Sequence, residues 1–160
     1  MKTTEIEQLL RYRHEHDPIA VARKIDLFLP RTESDFVAVK ASGKVYEYEI
    51  KVTRSDWKAE QRKRRWHVYT ESEEVRKYDR VYLRGHKRFV RPDYFYMITP
   101  SMLIDPDELP DWCGLMIATE DGRIVIAKKA KQFGEGVPVQ KILKCARAMR
   151  FRKNAEMPQA

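Results

Sequence analysis

Asp35, Glu49 and Lys51 are residues of the right types, at suggestive spacing, for metal-assisted phosphate chemistry. Glu49 and Lys51 stand two apart in Val45-Tyr46-Glu47-Tyr48-Glu49-Ile50-Lys51-Val52, a run rich in β-branched and aromatic residues that reads as a strand. Period-two geometry sets Glu47, Glu49 and Lys51 on one face, so a carboxylate and an ammonium project side by side. Asp35 opens a second apolar run, Asp35-Phe36-Val37-Ala38-Val39. Between the two runs, Ala41-Ser42-Gly43 is a turn whose glycine can take a positive φ. A hairpin across that turn brings Asp35 close to Glu49.

Phosphodiester hydrolysis needs an activated water and a means of neutralising the charge that grows on the phosphate. Magnesium supplies both, prefers octahedral oxygen ligation and keeps several of its waters. Asp35 and Glu49 would be its carboxylates and Ile50 would offer a backbone carbonyl, with manganese as the substitute ion. Lys51 would stabilise the five-coordinate phosphorus electrostatically, because an unperturbed lysine titrates too high to serve as a base. The plain alternative is an exposed strand face with a cross-strand ion pair worth under about 1 kcal/mol. Glu47 reads first as a solvated edge carboxylate and second as a further ligand. Glu7 reads equally as a helix-dipole partner or an outer acid of the cleft.

Other elements must hold these residues in place. Thr4 can cap a first helix with Ile6, Leu9 and Leu10 as its apolar stripe, ending between His14 and Pro18. Residues 19–29 read as a strand closed by Pro30, followed by strands over 35–40 and 44–53. Ser55 reads as the N-cap of a second helix, with Asp56 at its positive end. That helix carries Lys58, Arg62, Lys63, Arg64 and Arg65 and ends at Trp66-His67. Residues 70–91 are charged and irregular, with Val81-Tyr82-Leu83 as a short edge strand. A strand over 94–99 follows, then a turn or short helix at Pro100-Ser101 and a loop marked by Pro106 and Pro110. A hairpin of 115–119 and 123–128 closes at Asp121-Gly122, and helical spacing returns over 137–151. The expected fold is α/β, one domain over 1–152 with a frayed tail at 153–160.

The 160-residue chain has 32 Lys and Arg against 24 Asp and Glu, a net charge of +8, which favours a polyanionic partner. Arg54, Lys58, Lys63, Arg64, Arg65 and His67 are the candidate phosphate contacts, although a solvated basic face would look the same. His67 could instead be a dipole partner at the helix end. Trp66 and Tyr94, Phe95 and Tyr96 read as packing. The basic and aromatic residues of 76–91 suit a strand-binding flap and a solvated loop equally. No apolar run approaches the roughly 20 residues of a membrane span and the N-terminus has no signal stretch, so the expectation is a cytoplasmic protein without a membrane partner. Cys113 and Cys145 lie far apart without metal-ligand spacing and read as buried thiols.

An acid ahead of a strand, a tight turn, Glu49-Ile50-Lys51 in the next strand and a basic helix together resemble the PD-(D/E)XK nuclease superfamily. A narrower resemblance is to MmcB-like DNA repair proteins and related phage proteins within it. Tyr48-Glu49-Ile50-Lys51-Val52-Thr53-Arg54-Ser55-Asp56-Trp57 carries it first. Pro92-Asp93-Tyr94-Phe95-Tyr96, Thr99-Pro100 and Pro110-Asp111-Trp112-Cys113-Gly114-Leu115 carry it again. The likeness spans roughly 35–130 and rests on short motifs. The proline of the superfamily name is absent, Ser34 standing before Asp35, as in many members. The resemblance implies a restriction-endonuclease-like mixed sheet flanked by helices, an αβββαβ core followed by the hairpin and last helix. It also implies magnesium-dependent cleavage of DNA in repair, recombination or phage DNA processing, with pairing into a homodimer as one arrangement used by such nucleases. The alternative is a nucleic-acid-binding module of the same fold that cleaves weakly or not at all.

Overall fold

Alternation of side chains across extended segments builds a six-stranded sheet in the computed structural model, which describes residues 1–25, 33–63 and 92–132. Helix α1 (Thr3–Arg13) leads into strands β1 (Ile19–Ile25), β2 (Ser34–Val39) and β3 (Val45–Ile50); helix α2 (Arg54–Glu60) separates these from β4 (Tyr94–Thr99), β5 (Cys113–Ala118) and β6 (Ile124–Lys128). The strands lie in chain order across the sheet. β1, β2 and β3 form an antiparallel meander, β3, β4 and β5 run parallel, and β6 returns antiparallel. The result is a mixed α/β fold, as the sequence implied.

Two turns fix the registers. Gly43, at φ 81°, donates its amide to the Lys40 carbonyl at 2.9 Å, and β2 then pairs Phe36 with Tyr48 and Val37 with Glu47. Gly122, also at φ 81°, closes β5 onto β6. Both positions need a residue without Cβ because a left-handed backbone crowds any side chain.

One sheet face is aromatic and aliphatic. Phe36 and Ala38, Tyr48 and Ile50, Tyr96 and Ile98, and Met116 and Ala118 meet Ile6 and Leu10 of α1 there. Burying side chains such as Ile6 and Leu10 contributes about 1.5–3 kcal/mol each, which docks a helix too short to stand alone. Tyr46 stacks on Tyr94 at 4.7 Å between ring centroids, and Tyr48 on Tyr96 at 5.9 Å. Just past α1, buried His14 meets the Tyr48 hydroxyl through Nε2 at 2.8 Å and Asp17 through Nδ1 at 2.5 Å, while Lys40 reaches Asp17 at 2.9 Å. Burial holds the His14 pKa below the usual imidazole range despite the Asp17 hydrogen bond.

The opposite face receives Trp57 of α2 together with Phe95, Met97, Ile104, Leu109, Cys113 and Leu115. Cys113 is buried, as expected, and burial pushes its thiol pKa up; Cys145 lies outside the described residues. The loop between β4 and β5 includes a short 3-10 turn, Pro106–Glu108, whose carbonyl at Pro106 accepts from Lys128 at 2.9 Å.

Several boundaries differ from expectation. α1 opens at Thr3 with Lys2 as its N-cap, so Thr4 lies inside the helix, and the Glu5 carboxylate accepts the Lys2 amide instead. Thr53, not Ser55, caps α2: its Oγ1 accepts the Asp56 amide at 3.1 Å, moving the helix start two residues earlier. α2 also stops at Glu60, before the basic run ends. The expected strand at 81–83, the helix at 137–151 and the tail at 153–160 lie outside the described residues. Among the described residues no helix is long and apolar enough to cross a membrane.

Candidate metal centre

The register of β2 on β3 decides how the acids meet. Phe36 pairs with Tyr48, so one further step along the hairpin sets Asp35 opposite Glu49, on the face away from the tyrosines. The Asp35 Oδ2 accepts the Ile50 amide at 2.9 Å, which fixes a half-buried carboxylate at the end of β3. Lys51 leaves the strand end with its amide on the Ile98 carbonyl at 3.0 Å. Its side chain folds back so that Nζ lies 2.5 Å from Glu49 Oε1. Glu49 and Lys51 therefore touch, and Asp35 reaches the end of the same strand through the Ile50 amide.

Their surroundings are not those of an exposed face. Glu49 is 1% exposed and Lys51 6%, because β3 is an interior strand covered by α2. Glu47 is also buried, which corrects its reading as a solvated edge carboxylate: it accepts a hydrogen bond from Ser34 Oγ at 2.5 Å. Ser34, where the superfamily name has proline, thus supplies a hydroxyl that proline could not.

Glu60 is the residue that sequence reasoning missed. It lies at the end of α2, fully buried, and its Oε2 is 3.0 Å from Lys51 Nζ and 2.7 Å from Lys63 Nζ. Lys63 in turn reaches Glu49 Oε1 at 3.2 Å. Removing a carboxylate or an ammonium from water costs several kcal/mol, so burying Glu49, Glu60 and Lys51 calls for pairing of this kind. A signal was present: Trp57 and Glu60 are three apart and share a helix face, so a buried Trp57 carries Glu60 inward with it.

The proposed phosphate contacts divide. Lys58 is exposed on α2. Arg54 makes a bidentate pair with Glu108, at 2.7 and 2.6 Å, and donates to the Leu103 carbonyl at 2.9 Å. That guanidinium pulls the Glu108 pKa down to about 2. Lys63 faces the acids just described. Burial lowers its pKa, but the Glu49 and Glu60 carboxylates raise it further, leaving the net shift upward. Arg64, Arg65 and His67 lie outside the described residues.

The oxygens of Asp35 and Glu49 and the Ile50 carbonyl are hard donors of the kind magnesium takes. Among the described residues no group of three or more His, Cys, Asp or Glu side chains is arranged to hold a metal. From the described residues an ion here could draw on two carboxylates and a backbone carbonyl, a set that with water suits magnesium better than zinc. The donor chemistry fits the ion; the two ammonium groups on Glu49 oppose it.

No protein-family model matches the chain, and no curated protein matches it. Among solved structures, the chain is similar to the SPO1766 protein of unknown function from Silicibacter pomeroyi. The TM-score is 0.62 at 19% sequence identity, covering 94% of this chain and 86% of that one. At that identity the likeness concerns the fold alone.

Proposed function

We propose that this chain is a PD-(D/E)XK-type nuclease domain that hydrolyses DNA phosphodiesters with magnesium, with manganese as a substitute. The observation that carries the reading is Asp35 tied to the Ile50 amide at the end of β3, with the Lys51 ammonium 2.5 Å from the neighbouring Glu49. The order helix, three strands, helix, strand supports it, since that is the αβββαβ succession expected of the superfamily core. The net charge of +8 favours a polyanionic substrate.

The bound ion would supply an activated water and neutralise charge on the phosphate. Asp35 and Glu49 would hold it, and the Ile50 amide keeps Asp35 turned to one side. Lys51 presents a fixed positive charge beside Glu49, where negative charge grows on the phosphate oxygens. Glu60 keeps that ammonium in position from behind. Trp57 and the α2 backbone limit water on this side of the sheet, which strengthens each of these interactions.

A second reading is a nucleic-acid-binding module that does not cleave. It is favoured by the pairing of Glu49 Oε1 with both Lys51 and Lys63, which uses one of the two acids. Incubation of the full chain with linear, branched and single-stranded DNA, with magnesium or manganese and then with chelator, separates the two. Cleavage that needs the ion and disappears in Asp35→Asn, with DNA binding retained, supports the nuclease. Metal-independent binding with no product from any substrate supports the module, and no binding at low salt would sink both.

A further inference from the structure

In the quartet Glu49, Glu60, Lys51 and Lys63, each lysine touches both acids. Its two cations are nevertheless unlike. The Lys51 side chain is 8% exposed and leaves the end of an interior strand whose neighbour holds its amide. The Lys63 side chain is 45% exposed and hangs from the turn after α2, tied at its own amide to the Glu60 carbonyl at 2.8 Å. The Lys51 ammonium has no open path to water from its buried place, whereas moving Lys63 needs only rotation of a four-carbon stem into solvent.

A divalent ion on Asp35 and Glu49 would change the balance of charge. The Glu49 carboxylate would then lie between two ammonium groups and the ion, and like charges a few ångströms apart repel. The group free to leave is the half-exposed one. Two carboxylates already suffice for an ion that keeps its own waters, so Lys63 is not needed once the ion is in place.

We propose that Lys63 is a built-in counter-ion of the candidate metal centre, holding Glu49 and Glu60 until a divalent cation binds and then yielding to solvent. The proposal rests on the metal-site reading above. Lys63 therefore sets the affinity and not the ligand geometry: it competes with the ion for Glu49, and it stands ready to meet a substrate phosphate once released.

The test is a Mn2+ titration of the full chain, with free ion measured by electron paramagnetic resonance. Lys63→Gln removes the competing charge and keeps a polar side chain, so it tightens Mn2+ binding about five- to tenfold. Lys129→Gln makes the same charge change at an exposed position on the far end of β6 and leaves the affinity as it was. Equal or weaker binding by Lys63→Gln, with wild type binding normally, overturns the proposal and spares the metal site. Failure of wild type and Lys63→Gln alike to bind Mn2+ overturns both. Lysine acetylation read by mass spectrometry on the wild-type protein guards against misfolding of the variant. Saturating Mg2+ raises the modification rate of Lys63 severalfold against that of Lys129, and an unchanged ratio contradicts the release.

Discussion

The two faces of the sheet bury polar atoms by opposite means. On the α1 side the Tyr48 hydroxyl, His14 and Asp17 form a chain of hydrogen bonds amid stacked tyrosines. On the α2 side Glu49, Glu60, Lys51 and Lys63 bury or half-bury formal charges against one another. A hydrogen bond can be removed with both its ends and leave little behind, but a charge removed singly strands its partner. The aromatic face is therefore built for packing, whereas the charged face accepts a cost in stability to hold ionised groups where they could act.

The sharpest break of that comparison is Lys51→Met. It removes the buried ammonium that Glu49 and Glu60 share and is expected to cost about 3–5 kcal/mol of unfolding free energy. Adding Glu60→Leu restores charge balance and regains more than half of the loss. Urea denaturation of the single and double variants reads this, and equal losses in both would show that pairing is not what holds the charged face.

Packing on the tyrosine side should fail in a different way. A Cβ on Gly114 would meet the Tyr96 ring at 2.3 Å and the Ala130 backbone nitrogen at 2.7 Å. Gly114→Ala is therefore expected to cost about 1–3 kcal/mol by overpacking. Gly114→Ala in a Tyr96→Leu background recovers part of the loss if the ring is the obstacle. A cost unchanged by Tyr96→Leu would assign the effect to Ala130.

The smallest effect concerns pH. Burial lowers the His14 pKa, so the unfolded chain takes up a proton that the folded chain resists. Stability from this group is fully present above about pH 6.5 and is lost progressively as pH falls below it. Between pH 7.5 and 5.5 the urea midpoint should fall, and His14→Gln should flatten that slope. The same slope in His14→Gln as in wild type would remove the relay from the comparison.

Legibility differed between the faces for a physical reason. β2, β3 and β4 were readable because β-branched and aromatic residues alternate within short runs ended by Gly43 and Pro100. Asp35, Glu49 and Lys51 were readable because strand spacing and a tight turn leave few arrangements. Glu60 was hidden inside Lys58-Ala59-Glu60-Gln61-Arg62-Lys63, which reads as one continuous basic helix. No Gly or Pro marks where α2 stops; the Arg62 and Lys63 amides turn back on the Ala59 and Glu60 carbonyls, a tightening that composition does not record. Glu47 was misjudged because strand alternation gives the face but not whether a helix covers it.

Among the described residues the charged side chains of the candidate centre lie between residues 35 and 63, whereas much of its apolar cover, Phe95, Met97, Cys113 and Leu115, comes from beyond residue 92. Closing a short loop costs less chain entropy than closing a long one, and local contacts form sooner. During folding, then, the ions are placed to find one another while still hydrated, and the parallel strands arrive afterwards to exclude the water. The order of the chain spares the protein from having to sort unpaired charges inside an already dry interior.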